Sequence, residues 1–177
     1  DLKWMIGIER QQPPTRNLKL IERMQALSMV VYAPMEAAAY LAMHKVLPIS
    51  DRVQNNLWLY GCRLWAAYVV LDFWHIMEDN RLLRTRAKAL EKSRGHPSPP
   101  STESATLTEE QEATRRMWSD IYARKDMLLT QFWVNVGYIP LTLHWSLTKG
   151  LISDGWVGFF GMIAGLASWR MQWKATA

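Results

Sequence analysis

The placement of charged residues divides the chain into four long apolar stretches separated by polar segments. The stretches cover residues 24–43, 57–77, 127–147 and 155–169. A helix of about twenty residues is roughly 30 Å long, close to the hydrocarbon thickness of a bilayer. No segment of useful length alternates apolar and polar residues as a half-buried strand does. The pattern predicts an all-α integral membrane protein, with the third and fourth stretches as the better candidates for membrane spans.

A polar segment between the second and third stretches separates two halves of the chain. Its Pro, Ser, Thr and charged residues cannot bury a core and are typical of a flexible solvated loop. Thr108 and Gln111 have the spacing of a capping box, which predicts a helix start at 109. We therefore expect two helical hairpins joined by a charged loop. The predicted units are an N-terminal flank at 1–16, a first hairpin at 17–87, the loop at 88–108, and a second hairpin with two C-terminal membrane spans at 109–173.

Basic residues gather beside the apolar stretches and not in the turns within each hairpin. The formal net charge is +5, while the turns at 44–56 and 148–155 are nearly neutral. If all four stretches cross a bilayer, every basic flank lies on one side, as the positive-inside bias expects when both termini are cytosolic. The flank at 81–94 carries enough Leu and Ala to lie on an anionic membrane, although a simply solvated flank is the alternative. The residues that we assign to this membrane surface are Arg81, Arg84, Arg86 and Lys88.

The fourth stretch, GWVGFFGMIAGLASW, contains glycines at a helical spacing. Gly161 and Gly165 form a GxxxG motif, and Gly158 lies one turn earlier. Small residues at this spacing let helix backbones approach closely in lipid, whereas each glycine in a soluble helix costs up to about 1 kcal/mol relative to Ala. The spacing differs from the GxGxxG of a phosphate loop. We predict a helix-packing face, with a soluble core helix as the alternative; its partner is the third stretch or a second copy.

Two charged residues interrupt the first two stretches at matching positions. Glu36 and Arg63 are equidistant from a turn centred near residues 49 and 50. In an antiparallel hairpin they would lie at the same depth, and a buried charge needs a partner. The sequence therefore predicts a Glu36–Arg63 ion pair, with two separately solvated charges as the alternative.

Searches for catalytic or metal-binding patterns find none. His44, His75, His96 and His144 share no metal-ligand spacing, and Cys62 is the single cysteine. No nucleophile motif and no close carboxylate pair in an apolar setting occurs. The basic flank has no interleaved aromatic residues and adjoins a candidate membrane segment, which disfavours nucleic acid as a partner. We expect no enzyme activity, no cofactor and no metal.

Three motifs, in this order, resemble the peroxisomal biogenesis factor eleven family, most closely its gamma-type members. They are VYAPMEAAAYL at 31–41, LWLYGCRLWAAYVVL at 57–71, and NVGYIPLTLHWSLTKGLISDGWVGFFGMIAGLASW at 135–169. The resemblance covers roughly residues 17–173. It matches Tyr32, Pro34 and Glu36 to the family's first motif, and Gly158, Gly161 and Gly165 to its C-terminal one. Ala37 stands where gamma-type members often have His, so no role of that His is carried over.

The resemblance implies a peroxisomal membrane protein, with both termini in the cytosol, that binds, curves and elongates the membrane before fission. It also implies the bilayer, its anionic lipids, further copies of the chain and fission factors as partners. The family's remodelling helix is usually N-terminal, and we expect it to be largely missing here. Two alternatives stay open. One is a metabolite pore in which Gln131, Asn135 and His144 line a lumen, and the other is an accessory subunit of a larger organellar membrane complex.

Overall fold

The computed structural model describes residues 15–95 and 109–176, and all regular structure within these ranges is helical. The prediction of an all-α protein is therefore confirmed. Residues 1–14 of the predicted N-terminal flank and residues 96–108 of the predicted loop lie outside the described ranges. The helices are α1 (Arg16–Met43), α2 (Asp51–Arg94), α3 (Glu109–Trp145) and α4 (Asp154–Thr176).

Local chemistry explains where the first two helices begin and end. Thr15 is the N-cap of α1, and its hydroxyl accepts a hydrogen bond from the Leu18 amide at 3.3 Å, which satisfies one of the free donors of the first turn. Ser50 precedes α2, where its carbonyl accepts the first helical hydrogen bonds. Gly95 ends α2 with a φ of 74°, a left-handed value that glycine adopts without a side-chain clash.

The second helix is longer than the sequence suggested. It continues to Arg94, whereas the loop was expected to begin at residue 88. Basic residues in the last turn of α2 favour this extension because they interact well with the negative end of the helix dipole. The start of α3 at Glu109 agrees with the expected position, and three glutamates follow in its first turn, at the positive end of the dipole.

The four helices lie in a single row. In the described part of the chain, α1 packs on α2, α2 on α3 and α3 on α4, and no other pair of helices is in contact. Neighbouring helices run antiparallel. Gln25 of α1 reaches Asp72 of α2, while the later Tyr32 lies against the earlier Gly61. The same reversal is seen between α2 and α3 and between α3 and α4, in the contacts Asp79–Arg124, Arg63–Ser146, Asp126–Arg170 and Gly137–Ala164. The start of α1, the end of α2, the start of α3 and the end of α4 therefore share one end of the row. We call it the basic end, and we call the opposite end the turn end.

A single row leaves two broad helical faces without a second layer. The buried apolar cluster is small, consisting of Ile76, Leu83 and Leu128 with Ile121 against it. Large apolar side chains remain outside, and the side chains of Trp74 and Leu166 are about 60% exposed. Soluble domains normally cover such faces with a further layer, and soluble monomers rarely leave large apolar patches uncovered. Both faces of the row are thus suited to apolar surroundings.

Length and mean hydropathy distinguish α1 from the other described helices. Within the described ranges, α1 is the one helix that is long and apolar enough to cross a membrane by these two measures. Length and mean hydropathy do not favour the third and fourth stretches as membrane spans, although the sequence pattern predicts them as the better candidates. Gln131, Asn135 and His144 lower the mean hydropathy of α3, and α4 has only 23 residues, which include the charged residues Asp154, Arg170 and Lys174.

Candidate membrane-binding surface and its polar belt

A buried carboxylate on α2 connects three helices. Asp72 accepts a hydrogen bond from Gln25 of α1 at 2.9 Å, and bonds from Gln131 and Asn135 of α3 at 2.9 and 2.6 Å. Its side chain is 8% exposed, and those of Gln25 and Asn135 are 2% exposed. Since a buried carboxylate without partners would be very unfavourable, the three amide donors are what allow Asp72 to lie inside the row.

Polar and ionic contacts join neighbouring helices on the basic-end side of Asp72. Glu22 of α1 lies 3.2 Å from His75 of α2, and Asp79 of α2 pairs with Arg124 of α3. Asp126 of α3 holds Arg170 at 3.1 Å and Lys174 at 2.5 Å, both on α4. These contacts cross all three helix junctions of the row. We call them, together with Asp72 and its amide donors, the polar belt.

The α3–α4 part of the belt affects the charge state of its carboxylate. The hydrogen bond from Lys174, together with the charges of Lys174 and Arg170, lowers the pKa of Asp126 and outweighs the opposing effect of desolvation. Asp126 thus stays ionised to more acidic pH than an ordinary aspartate.

The predicted membrane-surface residues lie beyond the belt, on the part of α2 that extends past it. Arg81, Arg84, Arg86 and Lys88 are all exposed. Arg81 lies 3.8 Å from Glu78 one turn earlier, a contact too exposed to neutralise it effectively. In the described part of the chain, the other three have no carboxylate within ion-pair distance. This region therefore presents uncompensated positive charge.

The glycines of α4 do not meet another helix of the same chain. Apart from the neighbouring backbone of α4 itself, a Cβ added at Gly158, Gly161 or Gly165 would have no atom of the described residues within 4 Å. The close approach between α3 and α4 occurs at Gly137, where an added Cβ would lie 2.7 Å from the backbone nitrogen of Ala164. Of the two partners that the sequence left open for the α4 glycines, the third stretch of the same chain is therefore wrong.

The predicted ion pair between Glu36 and Arg63 does not form. Glu36 accepts a hydrogen bond from the Tyr32 hydroxyl at 2.6 Å, and the Nε of Arg63 donates to the Ser146 carbonyl at 3.2 Å. The Tyr32 ring packs beside Gly61, and Arg63, two residues further, is rotated by about 200° around α2. Equal depth in the hairpin does not fix this rotation, which directs Arg63 to the end of α3.

The first family motif is distributed over both sides of α1. Tyr32 and Glu36, four residues apart, share one side and are joined by their hydrogen bond. Pro34 lies inside α1 and is exposed. The motif thus contributes one packing contact, that of Tyr32 on α2, and one local polar contact.

The polar residues that might line a pore are divided between two places. Gln131 and Asn135 both bond Asp72. His144 accepts a hydrogen bond from the Ile152 amide at 3.2 Å, in the turn before α4. The three side chains therefore do not meet in one site within the chain.

Sequence reasoning missed the main polar contact of the row. The sequence shows Asp72 as a charge within the second apolar stretch and Gln131 and Asn135 as polar residues within the third, but the pattern alone does not connect them. No sequence pattern distinguishes Gln25 or Gly137 from neighbouring residues. A usable signal existed, because the amides at 131 and 135 are one helical turn apart and can reach the same point.

The fold and these contacts define an all-α protein with apolar broad faces, a polar belt and one basic end. In the described ranges, no three potential metal-ligating side chains come together. The family model for peroxisomal biogenesis factor 11 (PEX11) matches residues 3–173, and the chain belongs to this family. Membership gives it a role in peroxisome biogenesis and implies a protein of the peroxisomal membrane, in a family of biogenesis factors and not of enzymes. No curated protein and no solved structure matches the chain.

Proposed function

We propose that the protein binds, curves and elongates the peroxisomal membrane, and through self-association supports peroxisome proliferation and fission. The observation that carries the proposal is the single row of helices, whose broad faces are apolar and whose uncompensated positive charge lies at one end. An apolar surface with a basic border is the composition by which proteins enter an anionic leaflet. We further infer that the chain is a gamma-type member, from its Tyr-Pro-Glu motif and glycine motif.

The lengths of the middle helices suggest how curvature arises. The α2 helix has 44 residues and is roughly 66 Å long, about twice the hydrocarbon thickness of a bilayer. Its basic part therefore extends beyond the hydrocarbon, into the headgroup region. Insertion of amphipathic surface into one leaflet expands that leaflet relative to the other and bends the membrane.

The charge distribution supports an orientation with both termini in the cytosol. The belt and the basic residues beyond it lie at the end of the row where α1 starts and α4 ends. The turn end is nearly neutral. Positive charge is retained on the cytosolic side of membrane helices, and anionic lipids of the cytosolic leaflet attract the same residues.

Self-association would use surfaces that the chain leaves uncovered. The glycine face of α4 meets none of the other described helices, and close contact between small residues is a common way for helices to associate in lipid. Fission factors are further proposed partners. The pore alternative is not supported, because His144 lies apart from Gln131 and Asn135. The accessory-subunit alternative requires other proteins to cover the exposed apolar faces, which are rich in Trp.

A reconstitution experiment tests the proposal. Purified full chain is added to vesicles of phosphatidylcholine containing phosphatidylserine, and vesicle shape is followed by electron microscopy. We expect tubules with the wild-type chain and a strong reduction with Arg81→Glu, Arg84→Glu and Arg86→Glu combined, because the reversed charges are repelled by the anionic surface.

The matched control replaces the same three arginines by Lys, which keeps the charge and should keep tubule formation. Wild-type protein that enters the vesicles but leaves them spherical would contradict the proposal. Release of a trapped small solute without a shape change would instead favour the pore.

A further inference from the structure

A cleft lies between the start of α1 and the basic part of α2. Thr15, Arg16 and Asn17 line one side, and Glu78, Arg81 and Thr85 line the other, around a volume of about 430 Å³. Arg81 and Thr85 also line an adjoining groove of about 290 Å³, which continues along α2 to Arg84 and Lys88. We call the two volumes together the basic cleft.

The basic cleft has a large excess of positive charge. Four cationic side chains line it, and Glu78 is the one carboxylate among its described lining residues. The Glu78 side chain is 14% exposed and lies 3.8 Å from that of Arg81, which is 79% exposed. Within the described ranges, Arg16, Arg84 and Lys88 have no carboxylate at ion-pair distance. Three cations of the cleft are therefore available to an external anion.

The cations of the cleft converge from two helices. Arg16 comes from the first turn of α1 and Arg81 from α2, and both line the larger volume of the cleft. Lys92 and Arg94, on the same helix and also exposed, line neither volume. The positive end of the α1 dipole adds to the field in the cleft.

Phosphate is the anion that these side chains suit best. A guanidinium group presents parallel N–H donors that match two phosphate oxygens, and Lys adds a point charge. A phosphate monoester carries nearly two negative charges and three acceptor oxygens at neutral pH. A diester such as phosphatidylserine offers fewer charges on its phosphate and would use fewer of the available cations.

We propose that the basic cleft is a binding site for a phosphate monoester. The group can be carried by a lipid headgroup or by a soluble phosphorylated compound, since the recognised chemistry is the same. With a lipid source the site deepens the proposed function and depends on it, because the cleft then selects the lipid to which the basic end binds.

Vesicle flotation with the full chain tests the proposal. One set of phosphatidylcholine vesicles contains phosphatidate, a monoester, and the other contains phosphatidylserine, with the compositions adjusted to equal zeta potential. We expect the wild-type chain to bind the phosphatidate vesicles about tenfold more tightly, the effect of one additional charge-assisted contact. The variant Arg16→Gln with Arg84→Gln should lose this preference.

A matched control removes the same charge from the same part of the chain. Lys92→Gln with Arg94→Gln should weaken binding to both vesicle types by a similar factor and keep the ratio between them. Circular dichroism in detergent verifies that both variants remain helical. Equal ratios for the two variants would overturn the proposal, since positive charge alone would then explain binding.

Competition with soluble glycerol 3-phosphate distinguishes the two sources. Release of the protein from phosphatidate vesicles at millimolar competitor would assign the site to soluble monoesters, and no release would assign it to the lipid. Wild-type chain that binds both vesicle types equally would overturn the cleft proposal and leave the proposed function intact. Wild-type chain that binds neither vesicle type nor the soluble monoester would overturn both.

Discussion

At the scale of single residues, Asp72 has the greatest effect on how the helices are held together. Its two oxygens accept bonds from amides on both neighbouring helices, and no cation lies within ion-pair distance of it in the described ranges. A carboxylate in this setting is stable only while every donor remains in place. Asp72 therefore specifies how α1 and α3 are rotated against α2.

Replacing Asp72 by Asn should destabilise the row by about 1–3 kcal/mol. The new amide offers one acceptor oxygen in place of two, so at least one buried donor loses its partner or faces another donor. Thermal unfolding in detergent, followed by tryptophan fluorescence, measures the change.

Asp120→Asn is the matched control for this variant. It removes the same charge from an exposed position on α3 and should change stability by less than about 0.5 kcal/mol. Equal midpoints for the two variants would show that the amide contacts do not stabilise the row.

At the scale of elements, α4 is attached to α3 by two different kinds of contact. Near the turn end, Gly137 lets the backbones approach at Ala164. Near the basic end, Asp126 holds Arg170 and Lys174. Because the apolar contact does not titrate and the ionic one does, acid should loosen only the C-terminal part of α4.

The pH dependence of this ionic contact follows from the lowered pKa of Asp126. A carboxyl with a lowered pKa in the folded state contributes stability above its ordinary pKa of 3.8, and the contribution is lost as the pH falls through the lower folded value. The amides at 170–176 should therefore lose their protection from hydrogen exchange only when the pH falls below the ordinary pKa of an aspartate. The exchange rates are corrected for their intrinsic dependence on pH.

In the Asp126→Asn variant, the amides at 170–176 should be poorly protected from hydrogen exchange already at neutral pH. Asp154→Asn removes a carboxylate from the opposite end of α4 and should behave as wild type. Protection at 170–176 that is the same in the wild type and in Asp126→Asn at neutral pH would mean that the ionic contact does not hold the helix end.

At the scale of the whole molecule, the row has surfaces that its own helices do not cover. The described chain has no second helical layer, and the glycine face of α4 is open. Lipid can cover the broad apolar faces. A narrow surface of small residues is better suited to the backbone of another helix, and a second copy of the chain supplies one.

Replacing Gly161 and Gly165 by Leu should weaken self-association in membranes without disturbing the fold. A Cβ added at these positions meets no other helix in the described part of the chain, so the loss would be confined to contacts between copies. Chemical crosslinking of the full chain in vesicles, at a fixed protein-to-lipid ratio, measures the loss.

Gly137→Leu serves as the contrasting variant. There the side chain overlaps the backbone of α4 and should lower thermal stability, which the double variant should not do. Unchanged crosslinking of the double variant would exclude the glycine face as the contact between copies.

The sequence by itself determined the helices and the charge distribution along the row. The apolar stretches, the glutamates at the start of α3 and the neutral turns are local features that depend on residues close in the chain, and the order of antiparallel neighbours then brings the basic flanks to one end. The end of α2 at Arg94 lies beyond the predicted start of the loop at residue 88, because the composition of a solvated helix end resembles that of a loop.

Tertiary structure alone decided the rotation of each helix about its axis. Arg63 lies at the depth of Glu36 but is directed to α3, the packing glycine is Gly137 and not the GxxxG of α4, and the isolated charge of Asp72 gains its amide partners. The position of a residue along the axis of a helix hairpin follows from counting residues from the turn. Rotation depends on how side chains of separate helices fit together, and two residues along a helix reverse the direction in which a side chain points.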